Sequence, residues 1–197
     1  MSTFNDSYRG TPPWDIGRPQ AEFVQAAERG EVRGEVIDVG CGTGEHSLFL
    51  AARGNPTLGV DSAPLAIEKA KSKATQRHSS AEFLVWDALS LGSLGRRFDC
   101  AIDSGLFHVF PDVQRAAYVR SLSEVLRPGG RYLMLCFSDR EPADWGGPRR
   151  VSREEIRESF AKGWRVDYIK PASFESSFHD HGGKAWLSSL TRVEERP

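Results

Sequence analysis

The feature that most constrains this chain is a short apolar run that leads directly into a glycine-rich turn. Residues 35–39 read Glu-Val-Ile-Asp-Val and are followed by Gly-Cys-Gly-Thr-Gly, and a second apolar run ends at Asp61. Glycine is required where the backbone takes a positive φ or where a Cβ would block a close approach. The pattern therefore predicts a strand, a turn open to a ligand, and an acid placed to accept hydrogen bonds from ribose hydroxyls.

The spacing of the three glycines limits the classes of ligand that the turn can bind. Gly40, Gly42 and Gly44 form G-x-G-x-G, which differs from the G-x-G-x-x-G pattern of dinucleotide sites. No Lys-Ser or Lys-Thr pair follows, so the turn does not match a phosphate-binding P-loop. The alternative to a nucleoside site is a tight strand-to-helix turn that holds no ligand.

Around this turn the chain resembles the class I S-adenosylmethionine-dependent methyltransferases. Their first motif reads like residues 38–44, the predicted third strand ends in Trp-Asp-Ala at 86–88, and Leu-Arg-Pro-Gly-Gly at 126–130 precedes the fifth strand. The resemblance implies that Asp61 binds the ribose and that Asp87 lies near the adenine, whereas an Asp that only caps the next segment is the alternative for Asp87. The implied cofactor is S-adenosyl-L-methionine, with no metal. The implied cofactor contacts are Trp14, Asp38, Gly40, Cys41, Gly42, Thr43, Gly44, Asp61, Ser62, Asp87, Ala88, Asp103 and Ser104.

The N-terminal segment points to a subclass. Residues 11–19, Thr-Pro-Pro-Trp-Asp-Ile-Gly-Arg-Pro, resemble the P-W-D-x-G segment of the thiopurine, halide/thiol and heterocyclic-toxin methyltransferases. The resemblance implies that Trp14 packs on the cofactor with Tyr8 and Phe4 beside it, because an aromatic face attracts a sulfonium cation and excludes water. This chain differs from those methyltransferases in two ways: two prolines precede the Trp, and Tyr8 stands where relatives carry another Trp. The alternative is that Trp14 only fastens the arm to the domain.

Apolar strand-like runs alternate with helical patterns, which predicts a parallel sheet with crossover helices. With the resemblance, this gives an α/β fold with a Rossmann-like, doubly wound, seven-stranded and mostly parallel sheet whose last strand is antiparallel. A single domain, 1–197, comprises an N-terminal arm and helix that form a lid (1–34), a cofactor-binding core (35–137), and a substrate-side loop, helix and hairpin (138–197). A capping box begins the last helix at Ser152. The strands are predicted at 35–39, 57–60, 82–86, 98–103, 131–137, 164–169 and 185–192, and the helices at 45–53, 64–76, 111–126 and 152–161.

Composition argues against several kinds of partner. The net charge of −1 builds in no attraction to nucleic acid, and no stretch approaches the roughly 20 apolar residues of a membrane span. Three cysteines without metal-ligand spacing favour a reducing cytoplasm. The His-Asp-His run at 179–181 admits a metal interpretation, but an exposed turn is simpler. We therefore expect a cytoplasmic protein, a monomer or weak dimer, that binds a small molecule and neither nucleic acid, membrane nor metal.

The segment after the fourth strand carries the candidate acceptor residues, because ligands of such folds bind at the carboxyl ends of the strands. His108 is the candidate general base, since an unperturbed imidazole titrates near neutrality. A hydrogen-bonded structural histidine is the alternative. Phe107 either lines the acceptor pocket or belongs to the core. Tyr8 from the arm and Trp145 from the loop after the fifth strand complete the predicted substrate contacts.

These expectations combine into one function. The chain is predicted to be an enzyme that moves the sulfonium methyl group of S-adenosylmethionine to an oxygen, nitrogen or sulfur atom of a small phenolic, heterocyclic or thiol acceptor. A halide or thiol methyltransferase is the nearest alternative, and a non-catalytic module that binds S-adenosylmethionine is the second. A nucleic-acid methyltransferase is disfavoured because the sequence has no basic face and no N-P-P-Y-like motif. Protein methylation stays open.

Overall fold

Helices flank a seven-stranded sheet in the computed structural model, which describes residues 4–144, 146–177 and 179–194. The strands are β1 (Val36–Val39), β2 (Thr57–Asp61), β3 (Glu82–Val85), β4 (Phe98–Ser104), β5 (Leu126–Phe137), β6 (Trp164–Ser176) and β7 (His179–Arg192). The α-helices are α1 (Phe4–Ser7), α2 (Ala21–Glu28), α3 (Glu45–Ala52), α4 (Pro64–Gln76), α5 (Asp112–Val125) and α6 (Arg153–Ser159), and 3₁₀ helices cover Ala88–Leu94 and Phe107–Val109. No helix within these ranges has both the length and the apolarity to cross a membrane.

The strand order across the sheet is β3-β2-β1-β4-β5-β7-β6. Strands β1 to β5 run parallel to one another, because each connection carries the chain back to the same end of the sheet before the next strand begins. β7 runs antiparallel to both β5 and β6. The predicted fold class, a mostly parallel seven-stranded sheet with an antiparallel last strand, is therefore confirmed. The chain order reverses between β1 and β4, and ligands of such sheets bind outside the strand ends at this point.

Both faces of β1 are covered, so the whole strand is buried. Ile37 and Val39 belong to the apolar cluster that includes Tyr118 of α5. Val36 belongs to the opposite cluster, which includes Phe23 of α2. Alternate side chains of a strand face opposite sides of the sheet, and a parallel strand covered on both faces reads as a continuous apolar run. This double burial explains the clear strand signal at 35–39.

β5 begins earlier than the sequence predicts. Leu126 pairs with Phe98, and the register shifts before Arg131 pairs with Cys100. The Pro-Gly-Gly segment predicted as a turn before the strand therefore lies inside β5, at an irregularity of the ladder. Proline has no N–H to donate and is tolerated in a strand at such a bulge.

The C-terminal hairpin is longer than predicted. β6 continues beyond residue 169 and β7 starts before residue 185, until Ser176 lies opposite His179. Pro171 and two glycines fall within this extension, and both residue types weaken the strand signal of a sequence. The extension brings the hairpin tip to the N-terminal arm, where the Ser177 N–H donates to the Pro13 carbonyl at 2.9 Å.

The third glycine of the turn packs α3 and α4 against the sheet. Gly44 precedes α3 with φ 85°. A Cβ at Gly44 would lie 2.7 Å from the Phe83 ring and 3.1 Å from the Ala70 Cβ. Real Cβ atoms do not approach ring carbons this closely, so only glycine lets the start of α3 lie against β3 and α4.

We predict that Gly44→Ala destabilises the fold more than Gly54→Ala. The two glycines flank α3 with φ of 85° and 91°, so each substitution carries the left-handed backbone cost of about 1–2 kcal/mol. A Cβ at Gly54 meets nothing within 4 Å, whereas at Gly44 it meets Phe83, and overpacking adds about 1–3 kcal/mol. Urea unfolding of both variants measures the difference. Equal losses would contradict the packing role of Gly44.

Candidate active site

A cavity of about 560 Å³ opens at the carboxyl ends of β1, β2, β3 and β4, where the strand order reverses. Its walls also include the N-terminal arm and the C-terminal hairpin. The sequence-predicted site residues that line it are Tyr8, Trp14, Gly40, Cys41, Gly42, Thr43, Asp61, Ser62, Asp87, Ala88, Ser104 and His108. Further lining residues, which were not among the predicted site residues, include Asp15, Arg18, Gln20, His46, Gly105, Leu106, Phe137 and Phe174.

The glycine turn is tied to the end of β2. The Gly40 N–H donates to the Val60 carbonyl at 2.8 Å, and the Gly42 N–H donates to Asp61 Oδ2 at 2.9 Å. Asp61 Oδ1 accepts the Ala63 N–H at 2.8 Å. Burial raises the pKa of the Asp61 carboxyl, while the two backbone N–H donors favour its charged form. Each carboxylate oxygen keeps lone pairs, so the cavity wall presents a fixed acceptor of ligand hydroxyl groups.

Asp87 lies at the end of β3 and has two features that the sequence analysis treated as alternatives. Its Oδ1 accepts the Leu89 N–H at 2.9 Å, which caps the following 3₁₀ helix. The residue also lines the cavity. One carboxylate oxygen is thus engaged locally, and the carboxylate retains further acceptor capacity.

Asp38 and Gly44 lie behind the glycine turn and do not line the cavity. Asp38 is buried, and its Oδ2 accepts a 2.6 Å hydrogen bond from the Ser47 hydroxyl of α3. Burial raises the pKa of Asp38 to about 7. This bond joins β1 to α3. Asp38 and Gly44 therefore shape the glycine turn from the side that faces away from the cavity.

Asp103 was expected to contact the cofactor, but the structure directs its carboxylate into the protein. Oδ1 accepts the Leu106 N–H at 2.7 Å, and Oδ2 accepts the Phe107 N–H at 3.0 Å. Oδ2 also accepts the hydroxyls of Tyr118 at 3.0 Å and Tyr132 at 2.8 Å. Burial raises the pKa of Asp103 to about 6. Since four donors occupy the carboxylate and it does not line the cavity, Asp103 positions the 3₁₀ helix after β4 rather than a ligand.

The aromatic residues of the arm form one group at the cavity. The Trp14 Nε1–H donates to the Tyr8 hydroxyl at 3.0 Å, and the rings of Phe4 and Trp14 meet edge to face at 6.0 Å. Tyr8 is buried, and its hydroxyl oxygen lies 2.9 Å from the place of a Cβ at Gly42. Trp14 stays 39% exposed, which leaves indole surface for a ligand to cover.

The arm is fastened to the glycine turn and to α4. The Thr43 hydroxyl donates to Asp15 Oδ2 at 2.8 Å. Asn5 Oδ1 accepts the Leu65 N–H at 3.0 Å and so caps the start of α4. The arm therefore forms part of the cavity wall.

A second set of bonds joins the arm to the hairpin. The buried Gln20 side chain pairs with the Glu175 backbone in both directions, donating to its carbonyl and accepting its N–H, each at 2.8 Å. Arg18 forms a two-pronged ion pair with the Glu175 carboxylate at 2.8 and 2.9 Å. The cavity is thus closed on this side by segments far apart in sequence.

His108, the predicted base, is buried, and its ring is held by the backbone. Its Nδ1 accepts the Phe137 N–H at 3.0 Å. Burial, with the nearby positive charges of Arg115 and Arg150, lowers the pKa of His108 to about 3. A ring with so low a pKa is a weak proton acceptor at neutral pH. The geometry therefore does not suit a general base.

His46 also lines the cavity, although it was not among the predicted site residues. It lies in the first turn of α3, and its Nε2 accepts the Gln20 N–H at 3.1 Å. Burial lowers the pKa of His46 to about 4. Its position directly after the Gly-Glu that opens α3 was the available signal, because helix N-termini after such turns face the ligand.

Two other predicted substrate residues have different outcomes. Phe107 is fully buried, stacks on Phe160 at 5.8 Å and does not line the cavity, so it belongs to the core. Its neighbours Leu106 and Phe110 line the cavity instead. Trp145 lies outside the described residues.

We predict that Asp103→Asn destabilises the protein without weakening its binding of S-adenosylhomocysteine. An amide at this position turns its NH₂ group toward at least one of the four donors, which leaves a buried donor unpaired at a cost of about 1–3 kcal/mol. Chemical unfolding measures the stability, and calorimetry of the folded variant measures the affinity. A folded variant with lost affinity would return Asp103 to the ligand site.

The cavity suits a sulfonium nucleoside. Asp61 offers a carboxylate for ribose hydroxyls. Gly40 and Gly42 take positive φ angles of 72° and 54°, and as glycines they place no side chain in the path of a ligand. Trp14 and Tyr8 supply ring faces for a cation.

This chain is similar to known proteins in sequence and in fold. A family model described as a methyltransferase domain matches residues 36–130. The chain is 39% identical over 194 residues to the 2-heptyl-1-hydroxyquinolin-4(1H)-one methyltransferase of Mycobacteroides abscessus, which covers 92% of this chain and 86% of that protein. It is 27% identical over 154 residues to the probable thiol methyltransferase 2 of Arabidopsis thaliana, covering 74% and 65%.

A solved structure from work on the conversion of a disulfide bond into a thioacetal group during echinomycin biosynthesis has a TM-score of 0.89 and 36% identity, and the match covers 96% of this chain and 91% of that one. Together with the Mycobacteroides relative, it extends the likeness over nearly the whole chain. The predicted family, enzyme class and dependence on S-adenosylmethionine are therefore confirmed. The chain belongs to the class I S-adenosylmethionine-dependent methyltransferases and is an enzyme that methylates small molecules.

Proposed function

We propose that the acceptor is a flat heteroaromatic molecule and that the methyl group goes to an oxygen atom on its ring. The observation that carries this proposal is a wall of three packed rings on the cavity. His108 lies nearly parallel to Phe137, with ring centroids 5.2 Å apart and planes 15° apart, and Phe174 packs on Phe137 at 4.8 Å. Flat aromatic ligands gain offset-stacked or edge contacts on such a surface.

The relative from Mycobacteroides abscessus supports this class of acceptor. It is named for a hydroxyquinolinone, which is a flat bicyclic ring with a hydroxyl group on nitrogen and an alkyl chain. Identity of 39% over most of both chains favours a similar acceptor here. The partly exposed Trp14 and the ring of Phe4 add aromatic surface from the arm.

The chain's own residues position the reactants. When bound, S-adenosylmethionine supplies a methyl group on a positively charged sulfur. We assign ribose binding to Asp61, adenine binding to the region of Asp87 and Ala88, and close backbone approach to the turn at 40–43. The arm, residues 1–34 with α2, serves as a lid that excludes water. Orientation of two bound reactants supplies effective molarities of up to about 10⁵–10⁸ M, so positioning is sufficient for most of the rate.

A thiol acceptor is the second candidate. The Arabidopsis relative is named as a probable thiol methyltransferase, and the structural relative comes from work on a disulfide converted into a thioacetal. Sulfur nucleophiles need little help from a base because thiols ionise near neutral pH. The same aromatic wall accommodates an aryl thiol.

We propose further that the enzyme is a cytoplasmic monomer that acts without nucleic acid or metal. The three cysteines are free and buried, which suits a reducing compartment. Among the described residues, no group of three or more His, Cys, Asp or Glu side chains could hold a metal ion. Light scattering tests the monomer, and retention of activity in a chelator tests the absence of a metal.

We predict that Asp61→Ala lowers the affinity for S-adenosylhomocysteine by at least about tenfold, because a charged hydrogen bond contributes about 1.5–3 kcal/mol. Asp99→Ala is the matched control, since Asp99 also accepts a backbone N–H, from Glu35 at 2.8 Å, but does not line the cavity. Calorimetry on both folded variants measures the affinity. Equal affinity in the Asp61 variant and the wild type would reject the ribose assignment.

If the acceptor is a flat heteroaromatic molecule, kcat/KM should follow a defined order across a panel of methyl acceptors. A hydroxyquinolinone should be methylated more efficiently than a simple phenol of similar acidity, because its second ring covers more of the aromatic wall. An aryl thiol and iodide complete the panel. A higher value for the thiol would favour the second candidate. Binding of S-adenosylmethionine without transfer to any acceptor would favour a non-catalytic module.

A further inference from the structure

We propose that His108 is a hydrogen-bond donor to the acceptor oxygen through Nε2–H, and that the enzyme therefore selects acceptors that ionise without a protein base. The inference rests on the proposed function. It assigns the acceptor class a chemical property, an acidic hydroxyl, and it assigns His108 the opposite role to that predicted from the sequence.

A backbone hydrogen bond fixes the tautomer of the His108 ring. The Phe137 N–H can only donate, so the His108 Nδ1 that it meets at 3.0 Å must carry a lone pair. The proton of a neutral ring then lies on Nε2. A base would need its lone pair on the nitrogen that faces the acceptor, and here that nitrogen carries the proton.

Nε2 of His108 lies beside Gly105 at the cavity. A Cβ placed on Gly105 would be 3.4 Å from His108 Nε2 and 2.9 Å from the Phe174 ring. Gly105 follows β4 with φ 87° and lines the cavity together with His108. The missing side chain at Gly105 therefore leaves Nε2–H beside the ligand space, where it makes no hydrogen bond with the described residues.

Contacts with two phenylalanine rings fix the orientation of the His108 imidazole. His108 stacks on Phe137 at 5.2 Å and meets Phe174 at 5.8 Å, and these contacts keep the imidazole in one plane.

Two positive charges act on the His108 ring, Arg115 from α5 and Arg150 from the loop after β5. The Arg115 guanidinium is buried and lies 4.8 Å from the centroid of the Phe107 ring, on the same 3₁₀ helix as His108. A neutral N–H donor backed by positive charge favours an oxyanion over a neutral hydroxyl.

The other cavity histidine offers no base in its place. His46 Nε2 is occupied by the Gln20 N–H, so its proton lies on Nδ1 by the same argument. Asp15 accepts bonds from the Thr43 hydroxyl and the Gly17 N–H. Neither cavity histidine therefore has a lone pair free of the backbone on its ring nitrogens.

The reaction balances without a proton acceptor in the protein. The acceptor loses its proton to solvent before or during binding. Its oxygen then forms a bond to the methyl carbon, the carbon–sulfur bond breaks, and the electron pair stays on sulfur. One negative and one positive charge become two neutral products, a methyl ether or N-methoxy group and a thioether.

The test uses the whole chain saturated with S-adenosylhomocysteine. To this complex we add 4-nitrophenol, a phenol whose ionised form absorbs visible light. We compare the wild type with three variants: His108→Gln, whose amide nitrogen reaches the place of Nε2, His108→Asn, whose shorter amide reaches only the place of Nδ1, and His108→Phe, which keeps the ring contact alone. The bound phenol should ionise at lower pH than the free phenol in the wild type and in the Gln variant. Affinity for the phenolate should fall about ten- to a hundredfold in the Asn and Phe variants.

Two further measurements separate the outcomes. Nitrogen NMR of the histidine side chains should find the His108 proton on Nε2, and a proton on Nδ1 overturns the proposal whatever the acceptor. In turnover with a series of nitrophenols, the midpoint of the kcat/KM pH profile should follow the acidity of each phenol. A constant midpoint that disappears equally in the Gln and Phe variants identifies a base and overturns the proposal. Failure of every protein to bind any phenol while S-adenosylhomocysteine binds overturns the proposed acceptor class, and this proposal with it.

Discussion

One buried carboxylate holds the acceptor side of the cavity together. Asp103 is the next-to-last residue of β4 and receives four hydrogen bonds, from two backbone N–H groups of the next turn and from the hydroxyls of Tyr118 and Tyr132. A buried carboxylate is costly unless its lone pairs are filled, so these donors must stay in place. They fix the 3₁₀ helix that presents His108 relative to α5 and β5. The chemistry of the site depends on a residue that does not line the cavity.

The cavity is built by segments that come together only in the folded chain. The Gln20 side chain pairs with the Glu175 backbone much as another strand would, and so joins the arm to the hairpin. The exposed Arg18–Glu175 ion pair adds little by comparison, because exposed ion pairs contribute about 0–1 kcal/mol. The ring of Phe174, one residue before Glu175, thereby reaches the ring of Phe137 at the end of β5. The 3₁₀ helix after β4, the fifth strand and the hairpin share one aromatic wall.

Local signals were read correctly wherever the physical cause was itself local. The buried strand β1, the glycine turn and the acid at the end of β2 lie close in sequence, and the structure places Asp61 against Gly42. The capping box of α6 is also local, and Ser152 and Glu155 form it reciprocally. Signals failed where proline and glycine lie inside strands, as in the bulge of β5 and the extension of β6, because strand pairing overrides the preference of those residues for turns.

The sequence by itself determined the strand–turn–acid unit and the parallel sheet, because these follow from residue spacing and apolar periodicity, and its motifs carried the resemblance to the family. Only the tertiary structure decided what each polar side chain does. Asp61 and Asp103 each lie at or next to the last residue of a strand, yet one faces the cavity and the other faces two tyrosines. His108 resembles a base in sequence, but the Phe137 N–H, contributed by a strand that follows later in the chain, occupies its Nδ1. Hydrogen-bond partners that are distant in sequence fix the orientation and the protonation of these groups, and no local pattern encodes them.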